Sequence, residues 1–270
     1  MRMDCVIKDN EIISRDQRTT ISERYKRVTK AINRAFWDSE SETAHSRYVG
    51  SYGRGTAIDT SDIDILVELP RAKYEQYDAR KGNGQSQLLQ ALKDAVLTTY
   101  PRSEVKADGQ VVDIFFSDGI KFEILPAFRH LDWLGNWNGE YDYPDSNMGG
   151  NWLTTNPIAE QQAMKQKNIE SNGLLVDTCQ HMRHIRNTHF SSYHLSGIVI
   201  DSYVYHHIGN WHWTQPGEES SKPWGTYEKK LSSECPIFSI NLYAPGSGMP
   251  VDLSGSLDCL RKVLNYMSKE

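Results

Sequence analysis

The reading of this chain turns on Val49–Leu69, VGSYGRGTAIDTSDIDILVEL. A turn rich in small residues (Gly50, Ser51, Gly53, Gly55) leads into an apolar strand of Ile63, Ile65, Leu66 and Val67, and Asp62 and Asp64 sit at the start of that strand. Residues i and i+2 of a strand point to the same face, so the two carboxylates leave it together, roughly 6–7 Å apart. Ionised carboxylates at the start of a half-buried strand repel each other and lose hydration. Within the segment only Arg54 could neutralise them. A divalent cation resolves the conflict, because Mg²⁺ takes oxygen ligands and is usually held by one or two carboxylates plus substrate phosphates. The small residues of the preceding turn would then let backbone N–H groups approach a phosphate closely. A lone Asp-x-Asp reads more simply as a solvated strand end. The Gly-Ser turn and the apolar flank together make the combined string far more specific.

The rest of the composition is compatible with such a site. At 270 residues, 38% hydrophobic and 24% charged, the chain has the make-up of an ordinary globular protein and enough length for one large domain or two lobes. A formal net charge of −5 argues against holding long nucleic acid by general attraction, which needs a strongly basic surface, and leaves a small anionic ligand open. Cys5, Cys179, Cys235 and Cys259 form neither a Cys-x-x-Cys pair nor zinc-type spacing with histidine, so they read as reduced structural thiols. The charged N-terminus lacks a signal sequence and no run approaches a membrane span. The expectation is a cytoplasmic protein with no membrane partner.

Upstream, Thr20–Trp37 reads as one long helix. Thr20 and Glu23 make a capping-box pair, and Ile21, Tyr25, Val28 and Ile32 recur at helical spacing. Downstream, Pro70 ends the strand, the polar segment RAKYEQYDARKGNG reads as a loop, and GQSQLLQALKDAVLTTYP reads as a second helix. GQVVDIFFSDGIKFEILPAF has the alternation of a hairpin around Asp118-Gly119. Residues 130–158, rich in Trp, Gly, Asn and Pro, show no period and read as a long functional loop or lid. Beyond Pro157 the pattern becomes helical, ending with a helix near SLDCLRKVLNYM. The predicted fold is α/β (α+β): a lobe around a mixed sheet over residues 1–158, a mainly helical lobe over 159–270, and an active site in the cleft between them.

The string GSYGRGTAIDTSDIDILVEL resembles the signature of the polymerase-β-like nucleotidyltransferases, a Gly-Ser pair followed by an acid-x-acid. Further segments narrow the resemblance to the bacterial cGAS/DncV-like nucleotidyltransferases of the SMODS type (CD-NTases), the oligonucleotide cyclases of CBASS anti-phage operons. These are NGQSQLLQALK, DGQVVDIFFSDGIKFEILPAF, YPDSNMGGNWLTTNP, LLVDTCQHMRHIRN, LSGIVIDSYVY and APGSGMPV. The resemblance runs from about residue 20 to the C-terminus and implies a nucleotidyltransferase that joins NTPs into a cyclic di- or trinucleotide second messenger. It implies two Mg²⁺ or Mn²⁺ ions per active site, ATP and/or GTP as substrates with a pyrimidine NTP open, and a downstream effector that responds to the product. A regulatory protein partner also fits.

A two-metal phosphoryl-transfer site needs a third carboxylate beside Asp62 and Asp64. The hairpin offers Asp113 and Glu123. A two-residue loop at Asp118-Gly119 would put them on opposite faces and a three-residue loop on the same face, so register alone leaves the choice open. The family pattern places the third acid two residues before Leu-Pro-Ala, at Glu123. By the same resemblance Asp62, Asp64 and Glu123 are the catalytic and metal-holding residues, and Gly50 and Ser51 face the terminal phosphates.

On the helical lobe, Arg183 and Arg186 are three apart and so share a helix face, away from Leu175 and Met182. Arg186 occupies the position at which relatives use a lysine to reach the triphosphate, and arginine also binds phosphate. Ser196 is a further candidate nucleotide contact. The simpler alternatives are a solvated basic face for the arginines and a helix cap for Ser196. The histidines show no ligand spacing, and most of the tryptophans and tyrosines read as core. Two other functions remain open. The same fold can transfer a single nucleotide to a small-molecule or protein acceptor, or persist as a non-catalytic binding module, although the filled acidic positions argue against the latter.

Overall fold

A computed structural model describes residues 5–8, 12–215, 217–235 and 241–269. The chain divides into two compact units, one of residues 13–53 and 60–158 and one of residues 1–12, 54–59 and 159–270. The described residues 5–8, 12 and 54–59 therefore count with the helical half, not with the strands.

In the first unit the long helix α1 (Arg15–Trp37) starts earlier than its apolar stripe. Ser14 accepts from the Gln17 amide and Gln17 accepts from the Ser14 amide, so the capping box is Ser14/Gln17 and not Thr20/Glu23. Ile21, Tyr25, Val28 and Ile32 are buried as the periodicity requires. Buried Asn33 donates to the carbonyls of Ser41 and Ala44, closing the turn into β1 (Ser46–Tyr48). The Gly-Ser string forms a short helix, α2 (Gly50–Arg54), and the strand after it is β2 (Ile63–Glu68).

Two expected loops are structured. Arg71–Asp78 is a helix, α3, followed by the expected α4 (Gly84–Leu97). The residues of α3 are mostly good helix formers, and its few apolar groups suffice because Tyr77 is buried and the Tyr74 ring packs on Phe128 and Trp152. Strands β3 (Glu104–Asp108), β4 (Val111–Phe115) and β5 (Lys121–Leu131) follow. The aromatic-rich stretch expected to be a lid instead forms β6 (Trp137–Asp145) and β7 (Asn151–Thr155). Tyr141, nearly fully buried, anchors that hairpin, and its Trp and Tyr residues suit a pleated, half-buried surface.

The sheet runs β1-β2-β5-β4-β3, with β6 on the far half of β5 and β7 beyond it. Only β2 and β5 are parallel; the other pairs are antiparallel. Ile63, Ile65, Val112, Ile114, Phe122 and Ile124 face one side and build the main core with α1 and α4. On the opposite side a smaller core of Val49, Leu66, Ala127 and Tyr141 fills one end of the central strands.

The second unit contains α5 (Pro157–Glu170), α6 (Leu174–His189), α7 (Gly197–His207), α8 (Thr226–Ser233) and α9 (Leu257–Ser268), with a small hairpin of β8 (Leu242–Tyr243) and β9 (Pro250–Val251). Its core includes Leu175, Met182, Tyr203, Val204, Leu231, Cys259 and Val263. All four cysteines are free thiols. Among the described residues no helix is long and apolar enough to cross a membrane.

Candidate active site

Period-2 alternation places the acids. Because Ile63 and Ile65 point into the main core, Asp62 and Asp64 must point to the other face of the sheet. Asp64 pairs in register with Glu123 on β5, and Glu123 pairs with Asp113 on β4. The hairpin that sets this register has a three-residue loop: Phe116 N donates to Ile120 O, leaving Ser117, Asp118 and Gly119 at the tip. Both candidate acids consequently face the same way. Asp64, Glu123 and Asp113 lie side by side across three strands, with Glu123 adjacent to Asp64 and Asp113 one strand further out.

Gly50 is fitted to this row. Its φ is +56°, and a Cβ there would lie 1.9 Å from Asp64 Oδ2, so only glycine leaves room for that carboxylate. The contact is reinforced by the backbone, where Val49 N donates to Asp64 O and Gly53 N to Val49 O. The glycine of the Gly-Ser pair thus makes space for an acid of the site.

A cation, Lys121, stands among the acids. Lys121 Nζ is 2.5 Å from Glu123 Oε1, 3.3 Å from Asp113 Oδ1 and 3.8 Å from Asp62 Oδ2. The Asp113 contact is within ion-pair range without hydrogen-bond alignment, since Asp113 Oδ1 is buried with no hydrogen-bond partner. Burial pushes the Asp62 and Asp113 carboxyls above their ordinary values; Lys121 pulls them down and Glu123 adds repulsion. Burial opposes the charge on Lys121, but Glu123, Asp62 and Asp113 outweigh it and hold the ammonium above its usual value. The signal for Lys121 was present in the sequence, two residues before Glu123 and hence on its face of the strand.

The donors suit a hard divalent cation, since every candidate ligand is a carboxylate oxygen on one sheet face. Among the described residues no three acidic, His or Cys side chains already close on a single ion position. The ammonium of Lys121 lies between Glu123, Asp113 and Asp62 instead.

Arg54 belongs to a different cluster, inside the helical unit. It bonds Glu160 at 3.0 Å and Asp201 at 2.8 Å, while Thr56 donates to Asp201 and Arg183 pairs with it at 2.7 Å. Burial opposes ionisation of Asp201, yet Arg183 and Arg54 bring it down to about 2. Arg183 is therefore a buried structural partner, 1% exposed, and does not share a solvated face with Arg186. Its sequence signal, apolar neighbours at i−1 and i+2, marks it as flanked by core. Arg186 is half-buried and donates through Nη1 to Leu195 O at 2.8 Å. Burial lowers its basicity. Ser196, the next residue after Leu195, stands at the N-cap of α7 without a side-chain capping bond, and its amide donates to Ser256 Oγ.

Residues 6–168 match the Second Messenger Oligonucleotide or Dinucleotide Synthetase domain. No curated protein matches the sequence. Among solved structures, the chain is similar to the Elizabethkingia meningoseptica CdnE cyclic dinucleotide synthase with GTP and Apcpp, at 14% identity and TM-score 0.62, covering 94% of this chain and 97% of that one. It is also similar to the Rhodothermus marinus CdnE c-UMP-AMP synthase with Apcpp and Upnpp, at 14% identity and TM-score 0.62, covering 92% and 90%. The E. coli MS115-1 CdnC in complex with HORMA-deltaN matches at 13% identity and TM-score 0.59, covering 93% and 84%. These likenesses show the fold.

Proposed function

The chain belongs to the Second Messenger Oligonucleotide or Dinucleotide Synthetase family, and on that premise we propose that it joins nucleoside triphosphates into a cyclic di- or trinucleotide second messenger, releasing pyrophosphate, in CBASS-type anti-phage defence. The observation that carries the reading is the strand register, which sets Glu123 beside Asp64 with Asp62 one step along the same face. Asp62, Asp64 and Glu123 would hold two Mg²⁺ or Mn²⁺ ions, which when bound supply Lewis-acid stabilisation of the charge on the transferring phosphoryl group. Glu123 orients the acceptor ribose hydroxyl and takes up its proton. That hydroxyl attacks the α-phosphorus in line, and pyrophosphate leaves from the opposite side. Ser51 and the amides beside Gly50 bind the terminal phosphates.

On the helical unit, Arg186 and Ser196 are assigned to nucleotide binding. Supporting this, the Arg186 guanidinium is tethered to the carbonyl of Leu195, the residue before Ser196, so both polar groups are presented together. NTP substrates fit the nucleotides held by the two CdnE proteins, and a regulatory protein partner fits the CdnC complex. Acidic net charge favours catalysis without long nucleic acid, and a cytoplasmic location accompanies NTP use.

The test is incubation with all four NTPs and Mg²⁺ or Mn²⁺, followed by mass spectrometry and nuclease mapping. A phosphatase-resistant cyclic product, absent from an Asp62→Asn/Asp64→Asn variant, is expected. A strict requirement for an added acceptor would replace cyclisation by single-nucleotide transfer.

A further inference from the structure

The ammonium of Lys121 stands among the acids, in contact with Glu123 on β5, Asp113 on β4 and Asp62 just before β2. Like charges directly opposite one another in a sheet destabilise it, and Asp64, Glu123 and Asp113 form such a row. Without a cation the row would repel itself, so Lys121 supplies the compensating charge from within the fold. A divalent ion held by Asp62 and Glu123 together would compete with that ammonium for the same carboxylate oxygens.

Resting on the metal-site reading above, we propose that Lys121 is a resident, displaceable counter-cation: it holds the acidic face together in the metal-free protein and withdraws when divalent ions bind, setting the concentration at which they do. Three features make displacement feasible. The lysine stem is long and flexible. Its side chain is 23% exposed, so water reaches the ammonium and can take over its hydration as the ion pairs break. The Phe115 ring already lies 5.5 Å from Nζ in the ion-paired position, a cation–π contact that does not depend on the carboxylates. Lys121 is thus a positioning residue for the acids, with no bond to substrate required.

The test titrates metal-free protein with Mn²⁺, reading free ion by electron paramagnetic resonance. Three chains are compared: the parent, Lys121→Met, which keeps the stem and removes the charge, and Lys121→Arg, which keeps the charge. Expected are an affinity about tenfold tighter for Lys121→Met, a parent-like affinity for Lys121→Arg, and a lower melting temperature for metal-free Lys121→Met. In the parent, acetylation of Lys121 by a limiting amount of acylating reagent, mapped by peptide mass spectrometry, should rise when Mn²⁺ is added. That readout decides the matter even if Lys121→Met fails to fold. Equal or weaker Mn²⁺ binding by a folded Lys121→Met, or unchanged Lys121 acetylation in Mn²⁺-loaded parent protein, overturns the inference alone. Absence of Mn²⁺ binding in every chain overturns the metal-site reading and this inference with it.

Discussion

Gly50→Ala separates two reasons for a glycine at that position. If Gly50 serves only to let a phosphate approach, alanine should weaken nucleotide binding; if it makes room for Asp64, alanine should dislodge a catalytic acid. The new Cβ would lie 1.9 Å from Asp64 Oδ2, 2.4 Å from Cγ and 2.9 Å from Cβ. Ordinary contact begins near 3.4 Å, so the carboxylate has to move by about 1.5 Å, the difference between 3.4 and 1.9. Misplacement of a reacting group by about 1 Å costs on the order of 10²-fold in rate. The left-handed φ of +56° adds about 1–2 kcal/mol of strain for any residue with a Cβ. Gly55→Ala is the internal control, because Gly55 has φ +77° and open space around the added Cβ. Both variants should lose stability by a similar strain term in denaturant melts. Only Gly50→Ala should lose about two orders of magnitude in pyrophosphate release at saturating NTP. A Gly50→Ala enzyme within threefold of the parent rate, or a Gly55→Ala enzyme equally impaired, would refute the reasoning.

Glu123→Gln should reduce turnover by about 10²–10⁴-fold, whereas Asp113→Asn, one strand further from Asp64, should stay within about fivefold; single-turnover rates under saturating Mn²⁺ distinguish them. Asp201→Asn removes the carboxylate paired with the buried Arg183 and one of those paired with Arg54, which keeps Glu160, and should cost about 3–5 kcal/mol in urea melts. The same carboxylate gives a pH signature. Its folded value is depressed from 3.8 to about 2, so its contribution is present above the unfolded value and disappears as pH falls from about 4 through about 2. The stability gap between parent and Asp201→Asn should narrow by roughly 2–3 kcal/mol over that window. Gly246→Ala places a Cβ 2.3 Å from Ala159 O at φ +69° and should cost about 1–3 kcal/mol of stability while leaving the nucleotide composition of the product unchanged.

The acidic face was legible because strand alternation is a local rule. Ile63, Ile65, Phe122 and Ile124 announce the buried side, and Asp62, Asp64, Lys121 and Glu123 follow by parity. The relation of Asp113 to Glu123 was not legible, because it depends on whether the hairpin closes at Phe116–Ile120, which no residue in Ser117-Asp118-Gly119 dictates alone. The start of α1 was ambiguous for a similar reason. Both Ser14/Gln17 and Thr20/Glu23 satisfy the capping pattern, and the upstream pair prevails because the intervening residues continue the helix without an apolar stripe. Helix α3 and the β6–β7 hairpin were hidden since their burial rests on a few aromatic rings, Tyr74, Tyr77, Tyr141 and Trp152, in segments otherwise composed like loops. The Arg54–Asp201 bond spans 147 residues, and no single-chain pattern announces a pairing at that separation.

Five of the strings that narrow the family resemblance take part in fitted contacts. Asn83, opening NGQSQLLQALK, caps α4 through the Ser86 amide and donates to Ser146 O in YPDSNMGGNWLTTNP. A Cβ on Gly150 of the latter string would meet Gln85 Oε1 of the former at 2.4 Å. Arg183 of LLVDTCQHMRHIRN is neutralised by Asp201 of LSGIVIDSYVY, and Gly246 of APGSGMPV lies against the backbone of α5. Each of these five strings thus contributes to a fitted contact, and the residues that make it answer to packing and hydrogen-bond satisfaction. In the function proposed above the reaction itself falls to Asp62, Asp64 and Glu123, outside these five strings, with Gly50 making room for Asp64, and that arrangement needs one geometry whichever base is joined. Base choice rests on a few pocket contacts, each worth about 1–3 kcal/mol. It can therefore change while both the fitted contacts and the acids stay as they are, and substitutions at Asn83, Gly150, Arg183 or Gly246, which make those contacts, should register first as lost stability.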